Sequence, residues 1–363
     1  MATVSNAMET SSSKQTGMQD RSYKSIKLSD VGVQVMDTGA EVAAPTAAEV
    51  EAAVQEKARA DNLAIKVTDL HFTYPSRDGD KYVIKGLNME LERGSRCLLI
   101  GANGAGKSTL LRILGGKHLT KPDEAVKVLG KDAFRDMSLN MTRAYLDTNW
   151  GMRTVAFAGY GVPLQADIPV AKMMEALQAE HPERRAELID VLGIDTNWRM
   201  HQVSDGQRRR VQLFLSLLRP FDILLLDEVT TALDVVVRQD LLMWLQKETE
   251  TRDATIVYAT HIFDGLDTWP THVHYLHYHG ATGWQGRLEE NEHYMELRNA
   301  GHPSPILKVA EKWLRDEIAD QKNNGEQREA SSGFAAVQAK SEGAASFLNG
   351  GGFAPGRMLT HYA

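Results

Sequence analysis

The residues best suited to chemistry form a glycine-rich run, Gly-Ala-Asn-Gly-Ala-Gly-Lys-Ser, at positions 101–108. This run fits the pattern G-x-x-x-x-G-K-[ST] and lies between an apolar strand pattern and a helical pattern. Its glycines let backbone N–H groups point at phosphate oxygens, and the following helix adds the positive end of its dipole. Lys107 can reach the outer phosphates of a nucleotide, and the Ser108 hydroxyl can join a Mg²⁺ shell. The alternative, a tight strand–helix turn without a ligand, is much the weaker interpretation here.

The run Phe221–Glu228 ends in two adjacent carboxylates, Asp227 and Glu228, after a buried-strand pattern. Asp227 can hold a metal ion directly or through water, and Glu228 can polarise the attacking water as general base. The alternative is a strand that ends in two acids at a helix start, where negative charge is favoured anyway. Alone the pair is weak evidence, but downstream of a phosphate loop it is strong evidence for nucleotide hydrolysis.

The order of strand and helix patterns predicts an α/β domain, in which a parallel sheet carries helices on its faces. Period-two alternation predicts strands over 63–74 and 82–91, with a turn at Asp78-Gly79 between them. Short apolar runs predict buried strands, and longer stretches between them predict helices. The strands cover 96–100, 223–227 and 255–259, and the helices cover 107–114, 170–178 and 207–218.

Composition divides the chain into four regions. Residues 1–62 and 323–363 lack a sustained apolar period, which predicts disordered tails. Residues 63–290 form the folded domain, and residues 291–322 form a helical extension. Within the extension an amphipathic helix begins at Ser304-Pro305, and we expect its apolar stripe to dock on the core. The stripe comprises Ile306, Val309, Trp313 and, more loosely, Leu314 and Ile318.

Charge and hydropathy exclude several functions. The chain has 363 residues with 41 Lys and Arg against 48 Asp and Glu, a net charge of −7, which argues against binding nucleic acid directly. No stretch approaches the about 20 apolar residues that span a bilayer. The single cysteine, Cys97, fits a reducing compartment, and its apolar surroundings predict a buried core position. We expect a cytoplasmic location, with a nuclear one left open.

Four further motifs lie in a fixed order around the first two. They are Tyr74 before Pro75, the run Val203-Ser204-Asp205-Gly206-Gln207, the run Thr231-Ala232-Leu233-Asp234, and His261 after a strand pattern. In this order they resemble the adenine-stacking aromatic, the signature loop (usually Leu-Ser-Gly-Gly-Gln), the D-loop and the switch histidine of ATP-binding-cassette (ABC) ATPases. The resemblance covers residues 64–280, and six ordered motifs are far more specific than any one of them.

The resemblance implies an ABC nucleotide-binding domain with a RecA-like P-loop core, a small antiparallel sheet from residues 64–93 and a helical insertion around 135–205. It implies ATP and Mg²⁺ as ligands, Glu228 and His261 as catalytic residues, and Ser108 with Asp227 at the metal. The implied ATP-binding residues are Tyr74, Gly101, Ala102, Asn103, Gly104, Ala105, Gly106, Lys107, Ser108, Thr109, Ser204, Gly206 and Gln207. In the family the signature loop contacts the γ-phosphate bound to the opposite subunit. A head-to-tail pair is therefore implied, between two copies or between this chain and a relative.

The sequence also departs from the family pattern. Asp205 replaces the first signature glycine, where its carboxylate would repel a phosphate unless it points away, and Val229 replaces a proline. The glutamine that in the family joins the metal to the helical subdomain is not obvious in this sequence. Its place falls to the Asp147-Thr148-Asn149-Trp150 stretch or to Gln165, and we prefer the former because it ends a short apolar strand. This pattern resembles the soluble ABC proteins of plants and fungi, the ABC transporter I family, some of which resemble the yeast ATPase associated with the CCR4-NOT transcription and mRNA-decay complex.

Three biological roles remain open at this stage. The first is a regulatory or scaffolding ATPase with soluble partners such as a CCR4-NOT-like complex, and the long tails favour it. The second is the ATPase subunit of a transporter that docks to a separate membrane protein. The third is a nucleotide-binding module with negligible turnover, which the intact Asp227-Glu228 pair disfavours.

Two clusters have plainer interpretations. His272, His274, His277 and His279 could suggest a metal site, but a strand divides them between two faces, so we predict an edge strand of the core instead. The run Arg208-Arg209-Arg210 could suggest nucleic-acid binding. In an acidic chain we predict a solvated helix face with salt bridges.

Overall fold

A computed structural model of the protein describes residues 62–75, 81–148, 155–157, 160–162, 168–278 and 280–323. Several predictions lie outside these residues. They are the tails up to residue 61 and from residue 324, the turn at Asp78-Gly79, and the positions Asn149, Trp150, Gln165 and His279.

The described strands and helices follow the predicted order. The strands are β1 (Leu63–Tyr74), β2 (Lys81–Glu92), β3 (Arg96–Gly101), β4 (Val126–Val128), β5 (Lys131–Asp132), β6 (Arg143–Leu146), β7 (Val155–Phe157), β8 (Tyr160–Val162), β9 (Ile223–Asp227), β10 (Thr255–Ala259), β11 (His272–Leu276) and β12 (Thr282–Arg287). The α-helices are α1 (Lys107–Leu114), α2 (Glu175–Glu180), α3 (Pro182–Leu192), α4 (Asp205–Leu217), α5 (Val235–Arg252), α6 (Glu292–Asn299) and α7 (Pro305–Asn323). Short 3₁₀ helices cover Asp123–Ala125, Met137–Met141, Val170–Lys172 and Leu288–Glu290.

The predicted strands 63–74, 223–227 and 255–259 and the helix 107–114 are confirmed without a change of bounds. The helix predicted over 170–178 is instead a 3₁₀ turn followed, after a break, by α2. Met174, the residue before α2, has a φ of 52° in the left-handed region, and that backbone conformation interrupts the helix.

The central sheet has the strand order β12-β11-β3-β10-β9-β6. All neighbours run parallel except β12, which pairs antiparallel with β11 at the edge. The strands β3, β9 and β10 are buried along their whole length, as expected for parallel strands covered on both faces. The predicted α/β class with a parallel sheet is confirmed.

The pairing register places the carboxyl ends of the three central strands, β3, β10 and β9, side by side at the same edge of the sheet. Ala259 pairs with Leu99 on one side and with Asp227 on the other. The loops that follow β3, β9 and β10 therefore leave the sheet at one edge, where ligands bind in open α/β sheets.

A second, antiparallel sheet with the order β2-β1-β4-β5 covers one face of the central sheet. Strands β1 and β2 pair from Leu63 with Glu92 to Tyr74 with Lys81, so the predicted sheet from residues 64–93 gains two short strands. Its buried side chains share one apolar cluster with α1 and the central sheet; members include Ile65, Val67, Leu87, Met89, Leu99, Leu110, Leu111 and Leu225. Cys97 lies in this cluster, fully buried as predicted.

The C-terminal helix α7 docks on the core through an aromatic stack. The Trp313 ring stacks on Tyr275 of β11 at 4.9 Å between centroids and on Trp284 of β12 at 5.7 Å. Ile318, predicted to lie on the docking stripe, is exposed, and that part of the prediction is wrong. The buried face continues from Trp313 to Glu317, four residues on, whose carboxylate accepts a hydrogen bond from the Tyr275 hydroxyl.

The histidine-rich strand lies inside the sheet rather than at its edge, so the predicted edge strand is wrong. Strand β12, formed by the segment Thr282–Arg287, pairs with β11 and takes the edge position. His274 is 1% exposed on β11, and burial lowers its pKa to about 4. Among the described residues, no three His, Cys, Asp or Glu side chains are grouped to hold a metal ion.

We expect His274 to make the fold acid-sensitive. Its pKa lies below the ordinary 6.5, so the unfolded chain binds a proton first, and stability is lost as pH falls from about 6.5 towards 4. The shift corresponds to about 3 kcal/mol. Urea unfolding of His274→Leu should show a free energy that falls less between pH 7.5 and 4.5 than in the wild type, by about 2–3 kcal/mol.

The matched control is His201→Leu, which removes an exposed histidine and should keep the wild-type pH dependence. If His274→Leu and His201→Leu lose stability equally on acidification, the buried ring is not the acid-sensitive group.

Candidate nucleotide site

Two glycines allow the loop after β3 to turn tightly. A side chain at Gly101 would bring its Cβ to 2.6 Å from the backbone oxygen of Leu276. Gly106, at the start of α1, has a φ of 103°, which L-residues with side chains rarely adopt. Between them Asn103 and Gly104 are exposed, and the Ala105 N–H donates to the Ala102 oxygen at 3.1 Å. The loop therefore presents backbone beside the N-terminus of α1, the arrangement that binds phosphate.

Lys107 lies inside this loop rather than in solvent. Its ammonium donates to the backbone oxygens of Gly101 at 2.8 Å and Ala102 at 3.1 Å, and the residue is 7% exposed. These bonds hold a positive charge under the loop, where it can attract phosphate oxygens.

Ser108 and Asp227 meet across the sheet edge. The Ser108 hydroxyl donates to Asp227 Oδ1 at 3.0 Å, and the Tyr145 hydroxyl lies 3.5 Å from Oδ2. Burial raises the pKa of Asp227, although the Ser108 hydrogen bond acts in the opposite direction. A hydroxyl and a buried carboxylate fit Mg²⁺, which takes oxygen ligands and uses one or two carboxylates beside phosphate and water.

Glu228 and His261 form a pair that the sequence did not predict, although each was predicted singly. His261 Nε2 lies 2.8 Å from Glu228 Oε1, and both side chains are partly exposed. Glu228 has a φ of 55°, an unfavourable conformation for a residue with a side chain. The Glu228 backbone N–H donates to the Ala259 oxygen, and the Glu228 backbone oxygen accepts from the Thr231 hydroxyl. These two bonds fix the backbone of Glu228 at the end of β9, where its carboxylate contacts the histidine.

The signature residues form a helix cap. The Ser204 hydroxyl accepts from the Gln207 N–H at 3.2 Å, while the Gln207 side chain accepts from the Ser204 N–H at 2.9 Å. This capping box was missed, although the spacing Ser-x-x-Gln before a helix signals it. Among the described residues, no hydrogen bond of Ser204 or Gln207 leaves this helix start. The structure therefore does not bring the signature to the phosphate loop of the same chain.

Asp205, the first residue of the helix, pairs with Arg208 at 2.7 Å, and its side chain is 90% exposed. Gly206 lies against the D-loop, because a Cβ there would be 3.1 Å from the Ala232 oxygen. Arg210 forms an ion pair with Asp234, which caps α5 by accepting from the Val237 N–H. The predicted salt bridges of the arginine run are confirmed for Arg208 and Arg210.

Arg209, the middle arginine of the run, contacts the segment in which we expect the substitute for the family's glutamine. Arg209 donates to the backbone oxygens of Asp147 at 2.9 Å and Thr148 at 3.0 Å, just after β6. Gln212, one turn on, also donates to the Asp147 oxygen at 2.9 Å. The Asp147 carboxylate is close enough to Asp227 to raise its pKa further.

Tyr74, predicted to stack on adenine, lies at the end of β1. Its hydroxyl lies 3.3 Å from Thr109 Oγ1 on α1 and 3.3 Å from His118 Nε2. The Phe72 and His118 rings both lie nearly perpendicular to the Tyr74 ring. Sequence reasoning missed Phe72 and His118, which belong to no motif pattern.

Comparison with known proteins supports a common fold and ancestry. The family model described as ABC transporter matches residues 84–231. ABC transporter I family member 20 of Arabidopsis thaliana is 45% identical over 285 residues, which cover 77% of this chain and 84% of the relative. Member 21 of the same plant is 44% identical, with 74% of this chain and 92% of the relative covered. CCR4-associated factor 16 of Saccharomyces cerevisiae is 42% identical, with 59% and 75% covered.

Solved structures share the fold at low sequence identity. An ATP-binding subunit of an ABC transporter aligns with a TM-score of 0.55 at 20% identity and covers 69% of this chain and 99% of its own. The dimeric bacterial ABC transporter cassette MJ0796 aligns with a TM-score of 0.50 at 21% identity, covering 62% and 98%. None of the helices in the described part of the chain has the length and apolar character that crossing a bilayer requires.

We expect Ser204→Ala to lower the free energy of unfolding by about 1 kcal/mol, because the variant loses its half of the capping box. Ser204→Asp should keep most of the stability, since Asp is an equally good N-cap. The control Ser216→Ala lies inside the same helix and should lose nothing. Urea unfolding measures all three, and an undiminished free energy for Ser204→Ala would show that the box contributes nothing in solution.

Proposed function

The chain belongs to the ABC transporter family, and from that premise we propose that it is an ATPase that hydrolyses Mg-ATP between two cassettes. The observation that carries this proposal is the meeting of two pairs at one sheet edge. Ser108 lies 3.0 Å from Asp227, and the next residue, Glu228, lies 2.8 Å from His261. One pair suits a metal ion and the other suits proton transfer to or from water.

ATP would extend from the base end to the metal end of the site. Tyr74 stacks on adenine, the backbone of residues 101–109 binds the phosphates, and Lys107 contacts their outer oxygens. Ser108 and Asp227 would hold Mg²⁺, which when bound neutralises charge on the phosphate oxygens. The buried Lys107 ammonium and the open N-terminus of α1 support this orientation, since both favour negative charge.

Hydrolysis needs a group that takes a proton from the attacking water. Glu228 accepts that proton as the water oxygen bonds to the γ-phosphorus and the bond to the ADP oxygen breaks, which releases phosphate. His261 holds the Glu228 carboxylate in position through the 2.8 Å contact and senses the γ-phosphate. The strained backbone at Glu228 supports a functional role, since such strain concentrates at active sites.

A second cassette would complete the site. Ser204, Gly206 and Gln207 contact the γ-phosphate bound to the opposite subunit, and their separation from the phosphate loop within one chain supports this role. The ion pair with Arg208 partly neutralises the Asp205 carboxylate, which lowers its repulsion of that phosphate. The partner is a second copy or a related cassette, as in the dimeric structure that this fold resembles.

The biological role we propose is regulatory or scaffolding, with ATP-driven pairing that switches contacts with soluble partners in the cytoplasm or nucleus. The relative whose name places it with CCR4 supports this choice. The second candidate is the ATPase subunit of a transporter, which docks to a separate membrane protein through the helical subdomain. The names of the two plant relatives favour that alternative.

We expect Glu228→Gln to bind Mg-ATP but to hydrolyse it at least about 100-fold more slowly, because the amide cannot accept the proton. The variant should accumulate ATP-dependent dimers, measured by light scattering on a size-exclusion column. Phosphate release measures turnover. Glu124→Gln removes an equal charge at an exposed surface position and should retain wild-type turnover.

Lys107→Ala separates binding from chemistry, since it should bind ATP poorly and form no dimer. Normal turnover in Glu228→Gln would mean that another residue is the base. Normal turnover in Lys107→Ala would refute the phosphate-loop assignment itself.

The closed dimer also distinguishes the two biological roles. We expect Glu228→Gln with ATP, used as bait, to retain subunits of an mRNA-decay or transcription complex identified by mass spectrometry. Lys107→Ala with ATP is the matched bait that cannot close. Retention of integral membrane proteins by the closed bait alone would replace the regulatory role with the transporter role.

A further inference from the structure

Three aromatic side chains surround the base end of the site. Phe72 and Tyr74 lie two residues apart on β1, and His118 lies on the segment after α1. The ring centroids are 5.1 Å apart for Phe72 and Tyr74, 5.3 Å for Phe72 and His118, and 5.4 Å for Tyr74 and His118. The three rings contact each other pairwise, so each restricts the orientation of the other two.

The Tyr74 hydroxyl connects this aromatic cluster to the phosphate loop. It lies 3.3 Å from both His118 Nε2 and Thr109 Oγ1, and Arg112 on α1 also interacts with it. Tyr74 is the last residue of β1, where its backbone pairs with Lys81 of β2. The orientation of its ring depends on the contacts that its side chain makes.

His118 is suited to accept a hydrogen bond from the Tyr74 hydroxyl. The residue is half-buried, and burial together with the positive charges of Arg112 and Lys117 lowers its pKa. The ring is therefore neutral at pH 7, and in the tautomer with the proton on Nδ1 its Nε2 can accept a hydrogen bond from the Tyr74 hydroxyl. The Tyr74 oxygen is then free to accept from the Thr109 hydroxyl. The two bonds fix the hydroxyl from both sides.

From this geometry we infer that His118 is a positioning residue of the adenine site, which holds the Tyr74 ring at the angle needed to stack on the base. The inference rests on the proposed function, because it requires that Tyr74 contact adenine. His118 acts only through Tyr74, so its loss should weaken the binding of nucleotides and leave the binding of a bare phosphate chain unchanged.

The experiment compares two ligands with and without a base, Mg-ATP and Mg-tripolyphosphate, by isothermal titration calorimetry of the full chain. His118→Ala should raise the Kd of ATP by about three- to tenfold, the effect of losing one hydrogen bond, and leave that of tripolyphosphate within about twofold. His118→Gln offers an amide near the former Nε2 position and should restore most of the affinity for ATP. A purely structural role for the ring would not give this base-dependent loss and rescue.

A double-mutant cycle tests whether the effect passes through the tyrosine. Tyr74→Phe keeps the ring but removes the hydroxyl with both of its bonds, and it should weaken ATP binding at least as much as His118→Ala. The two changes together should cost no more than Tyr74→Phe alone, because that variant has already lost the hydrogen bond to His118. His71→Ala, an exposed histidine on the same strand, is the matched control and should bind both ligands like the wild type. Thermal unfolding of each variant verifies that the fold is retained.

The outcomes separate this inference from the proposed function. Unchanged ATP affinity in His118→Ala, with binding lost in Lys107→Ala, would overturn the role of His118 alone. Equal weakening of both ligands in His118→Ala would also overturn it, since the residue would then act on the phosphate loop. If the wild type binds neither ligand, the proposed function fails and the positioning role fails with it.

Discussion

The parallel pairing of β3, β10 and β9 is the constraint on which the site depends. These strands are buried on both faces, so their register is fixed by apolar packing, and a slip by one residue would turn every side chain to the opposite face. With that register fixed, the phosphate loop, the residue Glu228 and the segment with His261 must leave the sheet at one edge. The sheet thus brings Ser108 and Asp227, which are 119 positions apart along the chain, within hydrogen-bond distance.

At this edge the chain keeps features that oppose folding. Asp227 is a buried carboxylate whose raised pKa shows that its charge is disfavoured there. Glu228 holds a left-handed backbone conformation, and Gly106 has a backbone that only glycine adopts readily. The apolar clusters on both faces of the sheet offset these costs. Similar costs occur elsewhere, as at the buried His274 and at Met174, but this edge combines a buried carboxylate and two unusual backbone conformations within one site.

The features that could be predicted were those encoded over short spans. Apolar runs located β9 and β10, and the glycine pattern located the phosphate loop, because each signal lies within a few residues. Features that depend on contacts between distant segments could not be read in the same way. The burial of β11 required knowing that β12 adds to the edge, and the burial of Glu317 required knowing that Tyr275 faces α7.

The same limit applies inside the site. The roles of Ser108, Asp227, Glu228 and His261 were predicted from motifs, and their placement at one edge agrees with those roles without testing them. The pairing of Glu228 with His261 and the contact of His118 with Tyr74 join residues 33 and 44 positions apart. No periodicity spans such gaps. The capping box at Ser204 is different, because its spacing was readable and was hidden only by the resemblance to a signature loop.

The helix α4 contacts several of the segments that surround the candidate nucleotide site. Three successive arginines follow its cap, and each contacts a different segment. Arg208 holds the Asp205 carboxylate at the helix start, Arg209 holds the backbone after β6 near the metal end, and Arg210 holds the D-loop aspartate. The acid at position 147 does not break this link, because Arg209 and Gln212 bind its backbone oxygen rather than its side chain. A change of the side chain at position 147 would therefore alter the charge beside Asp227 while these backbone contacts with the signature helix are kept.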